Sequence, residues 1–104
     1  MKTKEINFVR DFTDCPGGRL RIHGQHSGEE FREDYLKTAL AENDQVVLNL
    51  NGVFGFPSSF IDEAFGILVK DLGHAAIKSK LQIILDDDPV ALKEIKACMA
   101  AHTA

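Results

Sequence analysis

Two adjacent serines, Ser58 and Ser59, stand where the sequence predicts that a buried strand is followed by a helix. Pro57 precedes them, and proline keeps the residue before it out of the helical region, so the helix cannot begin earlier. Amide groups in the first turn of a helix have no intrahelical acceptors and attract anions. A serine here is therefore a helix cap, a contact for an anionic ligand, or a phosphorylation site.

Two acidic residues, Asp62 and Glu63, follow the serines closely and suit the positive end of the helix dipole. Ser59 with Asp62 three residues later matches a capping box with a shortened acid. A phosphate on Ser58 or Ser59 would meet free amides, but the two carboxylates would repel it. Capping is the commoner role of such a serine, and the residues leave both the cap and the switch open.

The elements that position this join are predicted from the periodicity of apolar residues. A Pro16-Gly17-Gly18 turn separates the first two predicted strands, and short runs rich in valine, isoleucine and leucine predict two more. The predicted strands cover residues 4–10, 19–22, 45–50 and 80–85.

Three helices are predicted, each with its own start signal. Ser27 and Glu30 form a capping box before an apolar stripe, the serine pair begins a helix that runs from 59 to 72, and Asp88-Pro89 begins the last. The order predicts an α/β fold: a four-stranded mixed sheet with three helices packed against it, in a single domain of residues 1–104.

Composition excludes several classes of function. With 16 acidic and 12 basic residues in 104, the net charge of −4 argues against a nucleic-acid binder. No apolar run is long enough to span a membrane and no signal peptide is visible, which predicts a soluble, cytoplasmic protein. Cys15 and Cys98 are too far apart in sequence for a CxxC motif, and no dinucleotide- or phosphate-binding motif occurs. We therefore expect no metal, no cofactor and no enzymatic activity.

The segment Gly55-Phe-Pro-Ser-Ser-Phe-Ile-Asp-Glu-Ala-Phe-Gly66, together with Arg19, Gly24 and residues 27–32, resembles the STAS-like domain family of unknown function, found in small bacterial and phage proteins. That family is distantly similar to the STAS domains of anti-sigma factor antagonists, in which a partner kinase with the histidine-kinase-like ATPase fold phosphorylates a serine at this join. The resemblance implies Ser59 as the phosphoacceptor, with Ser58 beside it. The antagonists carry an aspartate before their serine pair and a glycine after it, where this chain has Pro57 and Phe60.

The sequence thus predicts a non-enzymatic regulatory module that binds a protein partner. The predicted docking face is the loop and helix start, formed by Phe56, Pro57, Phe60, Asp62 and Glu63. Two alternatives stay open: a small enzyme or ligand-binding protein that uses Ser58, Ser59 and a histidine, and a structural subunit that forms a homodimer.

Overall fold

A computed structural model describes residues 2–53 and 55–102. Its sheet has three parallel strands in the order β1-β2-β3, with Ile6 opposite Leu48 and Leu48 opposite Ile83. The central strand is the valine- and leucine-rich run, as expected for a strand with neighbours on both sides. The strands are β1 (Thr3–Asn7), β2 (Gln45–Asn49) and β3 (Leu81–Ile84).

Among the described residues, five helices pack around this sheet, and two of them contain a wide π turn between ordinary α-helical segments. The three predicted helices are present, while α1 and α4 are additional. They are α1 (Phe8–Asp11), α2 (Gly28–Glu30, Phe31–Leu36 and Lys37–Glu42), α3 (Ser58–Ile61, Asp62–Gly66 and Ile67–Leu72), α4 (His74–Lys80) and α5 (Pro89–Ala101).

The prediction of a strand over residues 19–22, and with it of a four-stranded mixed sheet, is wrong. The carbonyl groups of Gly18 and Arg19 accept the amides of Gly28 and Glu29 at 2.9 and 3.0 Å, so this segment is tied to the start of α2 instead of to a strand. Arg21–His23 form one 3₁₀ turn within it. The alternation of arginine with apolar residues spans only four positions and reflects arginines that face acids on the helices.

The first predicted strand is also shorter than residues 4–10. The side-chain oxygen of Asn7 accepts a hydrogen bond from the backbone amide of Arg10 at 3.0 Å. The backbone amide of Asn7 donates to the Asp11 carboxylate at 2.9 Å, and together these bonds begin α1. An asparagine cap therefore ends the strand, although the apolar residues Phe8 and Val9 continue the strand-like pattern.

The N-caps predicted for the first and third helices, Ser27 and Asp88, are confirmed. Ser27 accepts the amide of Glu30 at 3.1 Å, and Asp88 accepts the amide of Ala91 at 3.1 Å ahead of Pro89 at the first turn. The Glu30 carboxylate accepts a hydrogen bond from the backbone amide of His26, and not from that of Ser27 as the capping box predicted.

Aromatic residues fill the core where α1, α2 and α3 meet. Phe8, Phe31 and Phe60 are fully buried, and the ring of Phe8 lies edge-on to the other two, with centroids 4.8 and 5.8 Å apart. Such contacts fix the start of α3 against the rest of the molecule. No helix in the described ranges combines the length and apolar character needed to cross a bilayer.

Candidate functional site

The candidate site is the join between β2 and α3, at the carboxyl edge of the parallel sheet. The Asn51 side chain accepts the amides of Asp86 and Asp87 at 2.7 and 3.2 Å, and the Gly52 amide donates to the Asp87 carboxylate at 2.8 Å. These bonds tie the loop after β2 to the loop after β3. The carboxyl edge of a parallel sheet is where ligands and partners of α/β domains commonly bind.

The helix that follows has no side-chain cap. Pro57 occupies the N-cap position with extended backbone, and Ser58 and Ser59 are the first two helical residues. The expectation that one of the serines caps this helix is therefore wrong, because proline places the cap one residue earlier and offers no side-chain acceptor. The amides of the first turn, which have no intrahelical acceptor in any helix, therefore also lack a side-chain acceptor at the N-cap.

The two serines differ in accessibility. Ser58 is exposed and Ser59 is partly buried. Within residues 2–53 and 55–102, neither hydroxyl makes a hydrogen bond to another side chain or to the backbone, and no histidine pairs with either. The structure thus does not bring together the serine and histidine that a hydrolase would require.

The predicted docking face divides into an exposed part and a buried part. Phe60 has no exposed surface, and Glu63 is 8% exposed. Phe56 is half-buried, with its ring centroid 6.3 Å from that of Phe60, while Pro57 is exposed. A partner that approaches this face without rearranging it meets Phe56, Pro57 and Ser58.

The two acids of the α3 start are paired with arginines. Arg19, from the loop before α2, donates to Asp62 and lies 3.5 Å from Glu63. Arg32, on α2, uses Nη1 to donate to both the side chain and the backbone carbonyl of Glu63, each at 2.6 Å. Two cationic groups therefore balance the carboxylates that were expected to repel a phosphate on the serines.

The second carboxylate oxygen of Asp62 faces α5, a contact that the sequence reasoning missed. His102 Nε2 lies 3.5 Å and Cys98 Sγ 3.9 Å from Asp62 Oδ1. Burial of the thiol and the neighbouring Asp62 carboxylate raise the pKa of Cys98 above its ordinary value. The sequence feature that could have indicated this cluster is the spacing of Cys98 and His102. They are four residues apart and thus lie on one face of the last predicted helix.

Comparison with models of known protein families identifies a family to which the chain is similar. A model of the STAS-like domain of unknown function matches residues 27–91, more than half of the chain, from the start of α2 to the first turn of α5. Neither the curated proteins nor the solved structures contain a match.

Proposed function

Since the chain belongs to the STAS-like domain family of unknown function, we propose that it is a regulatory module that acts by binding a protein partner in the cytoplasm and not by catalysis. The docking face is the start of α3, at Phe56, Pro57 and Ser58. The observation that carries this proposal is the uncapped helix start itself, where an exposed serine follows an exposed proline above a rigid aromatic core.

We further propose that the serine pair is a phosphorylation switch set by an ATPase-type kinase. A phosphate at the first turn of α3 would meet amides that lack acceptors, an arrangement that favours an added anion. The repulsion expected from Asp62 and Glu63 is reduced, because Arg19 and Arg32 neutralise them. Similarity to the antagonist domains favours Ser59 as the acceptor, and exposure favours Ser58.

In the experiment, the purified chain is incubated with ATP and a histidine-kinase-like ATPase from the same organism, preferably one encoded near its gene. Trypsin releases residues 38–70 as one peptide, since Lys37 and Lys70 flank a stretch without lysine or arginine. We expect mass spectrometry to find one added phosphate on this peptide. Ser58→Ala and Ser59→Ala, made singly, locate it.

Thr38→Ala is the matched control, because Thr38 is an exposed hydroxyl in the same peptide. The control should be phosphorylated as fully as the unmodified chain. If the Ser58→Ala/Ser59→Ala double variant is phosphorylated to the same extent as the unmodified chain, the switch is elsewhere. If the ATPase neither binds nor modifies the chain, this class of partner is wrong.

A further inference from the structure

We propose that Asp62, Cys98 and His102 form a binding site for a zinc ion between α3 and α5. These residues contribute a carboxylate, a thiol and an imidazole, whose potential ligand atoms all lie within 4.8 Å of one another. Zn²⁺ accepts oxygen, sulfur and nitrogen ligands together, whereas Mg²⁺ and Ca²⁺ select oxygen alone. The chemistry of the three side chains therefore favours zinc over magnesium or calcium.

The distances suit a shared ion. Tetrahedral zinc bonded to sulfur, nitrogen and oxygen holds its ligand atoms roughly 3.4–3.6 Å apart. Asp62 Oδ1 lies 3.5 Å from His102 Nε2 and 3.9 Å from Cys98 Sγ. All three ligand atoms lie within 4.8 Å of one another, so rotations of these half-buried side chains bring them to the shorter spacing of a shared ion.

The orientation of the His102 ring gives a second argument. Its Nδ1 lies 2.9 Å from the Cys98 carbonyl oxygen, which can only accept, so Nδ1 carries a proton. Nε2, the other ring nitrogen, points toward the Asp62 carboxylate 3.5 Å away and is therefore placed to bind a metal ion held by both residues. In metal-binding histidines, the N–H of the ring nitrogen that does not bind the metal commonly donates a hydrogen bond to a carbonyl in this way.

The residues around the three side chains also allow these side chains to lie close together. Arg19 pairs with Oδ2 of Asp62 and leaves Oδ1 for the ion. A Cβ placed on Gly66 would lie 2.6 Å from His102 Cε1 and 3.1 Å from Cys98 Sγ, so glycine at this position leaves room for the imidazole and the thiol beside α3. Both Asp62 and Gly66 belong to the π turn of α3, a feature frequent at functional sites.

Binding releases the thiol proton to solvent, and the thiolate and carboxylate then balance the charge of Zn²⁺. Three protein ligands leave a fourth position, and the side chains of Asp62 and His102 are 36% and 28% exposed. Water or a ligand from outside the chain can complete the coordination, as in zinc sites that keep an open position.

The test titrates Co²⁺ into the reduced full-length chain, purified without a histidine tag. We expect one equivalent to produce a thiolate-to-cobalt charge-transfer band, and one equivalent of Zn²⁺ to abolish it. Cys98→Ser should remove the band, whereas Cys15→Ser, which alters an exposed cysteine outside the cluster, should keep it. Mg²⁺ should not displace the cobalt.

Gly66→Ala keeps all three ligand side chains but displaces His102 and Cys98, and should weaken Zn²⁺ binding about 10–100-fold, the usual effect of disturbing the support of a ligand. Circular dichroism of each variant confirms that it is folded, and Cys98→Ala replaces any serine variant that is not. The proposal is overturned if the unmodified chain gives no charge-transfer band, or if folded Cys98→Ser binds Zn²⁺ as tightly as the unmodified chain.

Discussion

At the scale of single residues, the ion pair between Arg32 and Glu63 holds the candidate site in place. Both side chains are about nine-tenths buried, and the Arg32 guanidinium also donates to Glu33 at 2.7 Å. A buried charge that loses its partner is strongly destabilising, while an exposed pair contributes little. The arginine therefore fixes the orientation of the helix turn that follows the serines.

Replacing Glu63 by glutamine should lower the free energy of unfolding by about 2–3 kcal/mol, because a buried arginine loses its charge partner but keeps a hydrogen-bond acceptor and Glu33. Asp34→Asn is the matched control. It also removes a carboxylate from an arginine, but Asp34 and Arg21 have side chains 49% and 47% exposed. The control should lose far less stability in urea unfolding, because solvent screens an exposed pair. Equal losses for the two variants would contradict the assigned role of burial.

At the scale of elements, the close crossing of α2 and α3 determines where the serine pair lies. Gly28, in the first turn of α2, faces the segment of α3 that carries Phe60, Glu63 and Ala64. A Cβ at Gly28 would lie 2.9 Å from both the Glu63 Cβ and the Phe60 carbonyl oxygen. The absence of a side chain is thus what allows the two helices to meet at this distance.

Gly28→Ala should destabilise the fold by about 1–3 kcal/mol, as expected when a group is forced into a packed interface. Gly18→Ala, in the preceding loop, is the control, because its Cβ would meet only the His23 Cβ at an ordinary 3.8 Å. Thermal unfolding of the two variants should separate them clearly. A Gly28→Ala variant as stable as Gly18→Ala would show that α2 and α3 are not in fixed contact.

At the scale of the whole molecule, charged side chains link elements that are distant in sequence. Glu33 on α2 accepts from Arg32 and from Lys37, and Lys37 also reaches Asp71 on α3 at 2.9 Å. The hydrogen bonds from Arg32 and Lys37 hold the pKa of Glu33 below its ordinary value. Stability should therefore depend on pH in the acid range.

A carboxyl group with a lower pKa in the folded state stabilises the fold above its unfolded pKa, near about 4.3, and that contribution disappears as pH falls through the folded pKa. Urea midpoints measured from neutral pH downward should accordingly decline below about pH 4.5. Glu33→Gln should show a shallower decline than the unmodified chain. Glu94→Gln, which alters an acid of α5 without an ion pair to any described residue, should leave the profile unchanged.

Local signals accounted for most of the fold. The run from Gln45 to Asn49 is the central strand, and the caps at Ser27 and Asp88 begin helices as expected. The strand predicted over residues 19–22 is wrong, because alternation of arginine with apolar residues over four positions does not distinguish a strand from a loop whose arginines face acids. Asn7 likewise began a helix within an apolar pattern typical of a strand.

The sequence by itself determined the class of the fold, its family and the position of the serine pair at a helix start, since periodicity, capping and motif are encoded in neighbouring residues. Only the tertiary structure decided that Pro57 is the cap, that Phe60 and Glu63 are buried, and that Asp62 lies beside Cys98 and His102. These facts depend on which elements pack together. Residues as far apart as 19 and 62 become neighbours only when the helices pack around the sheet.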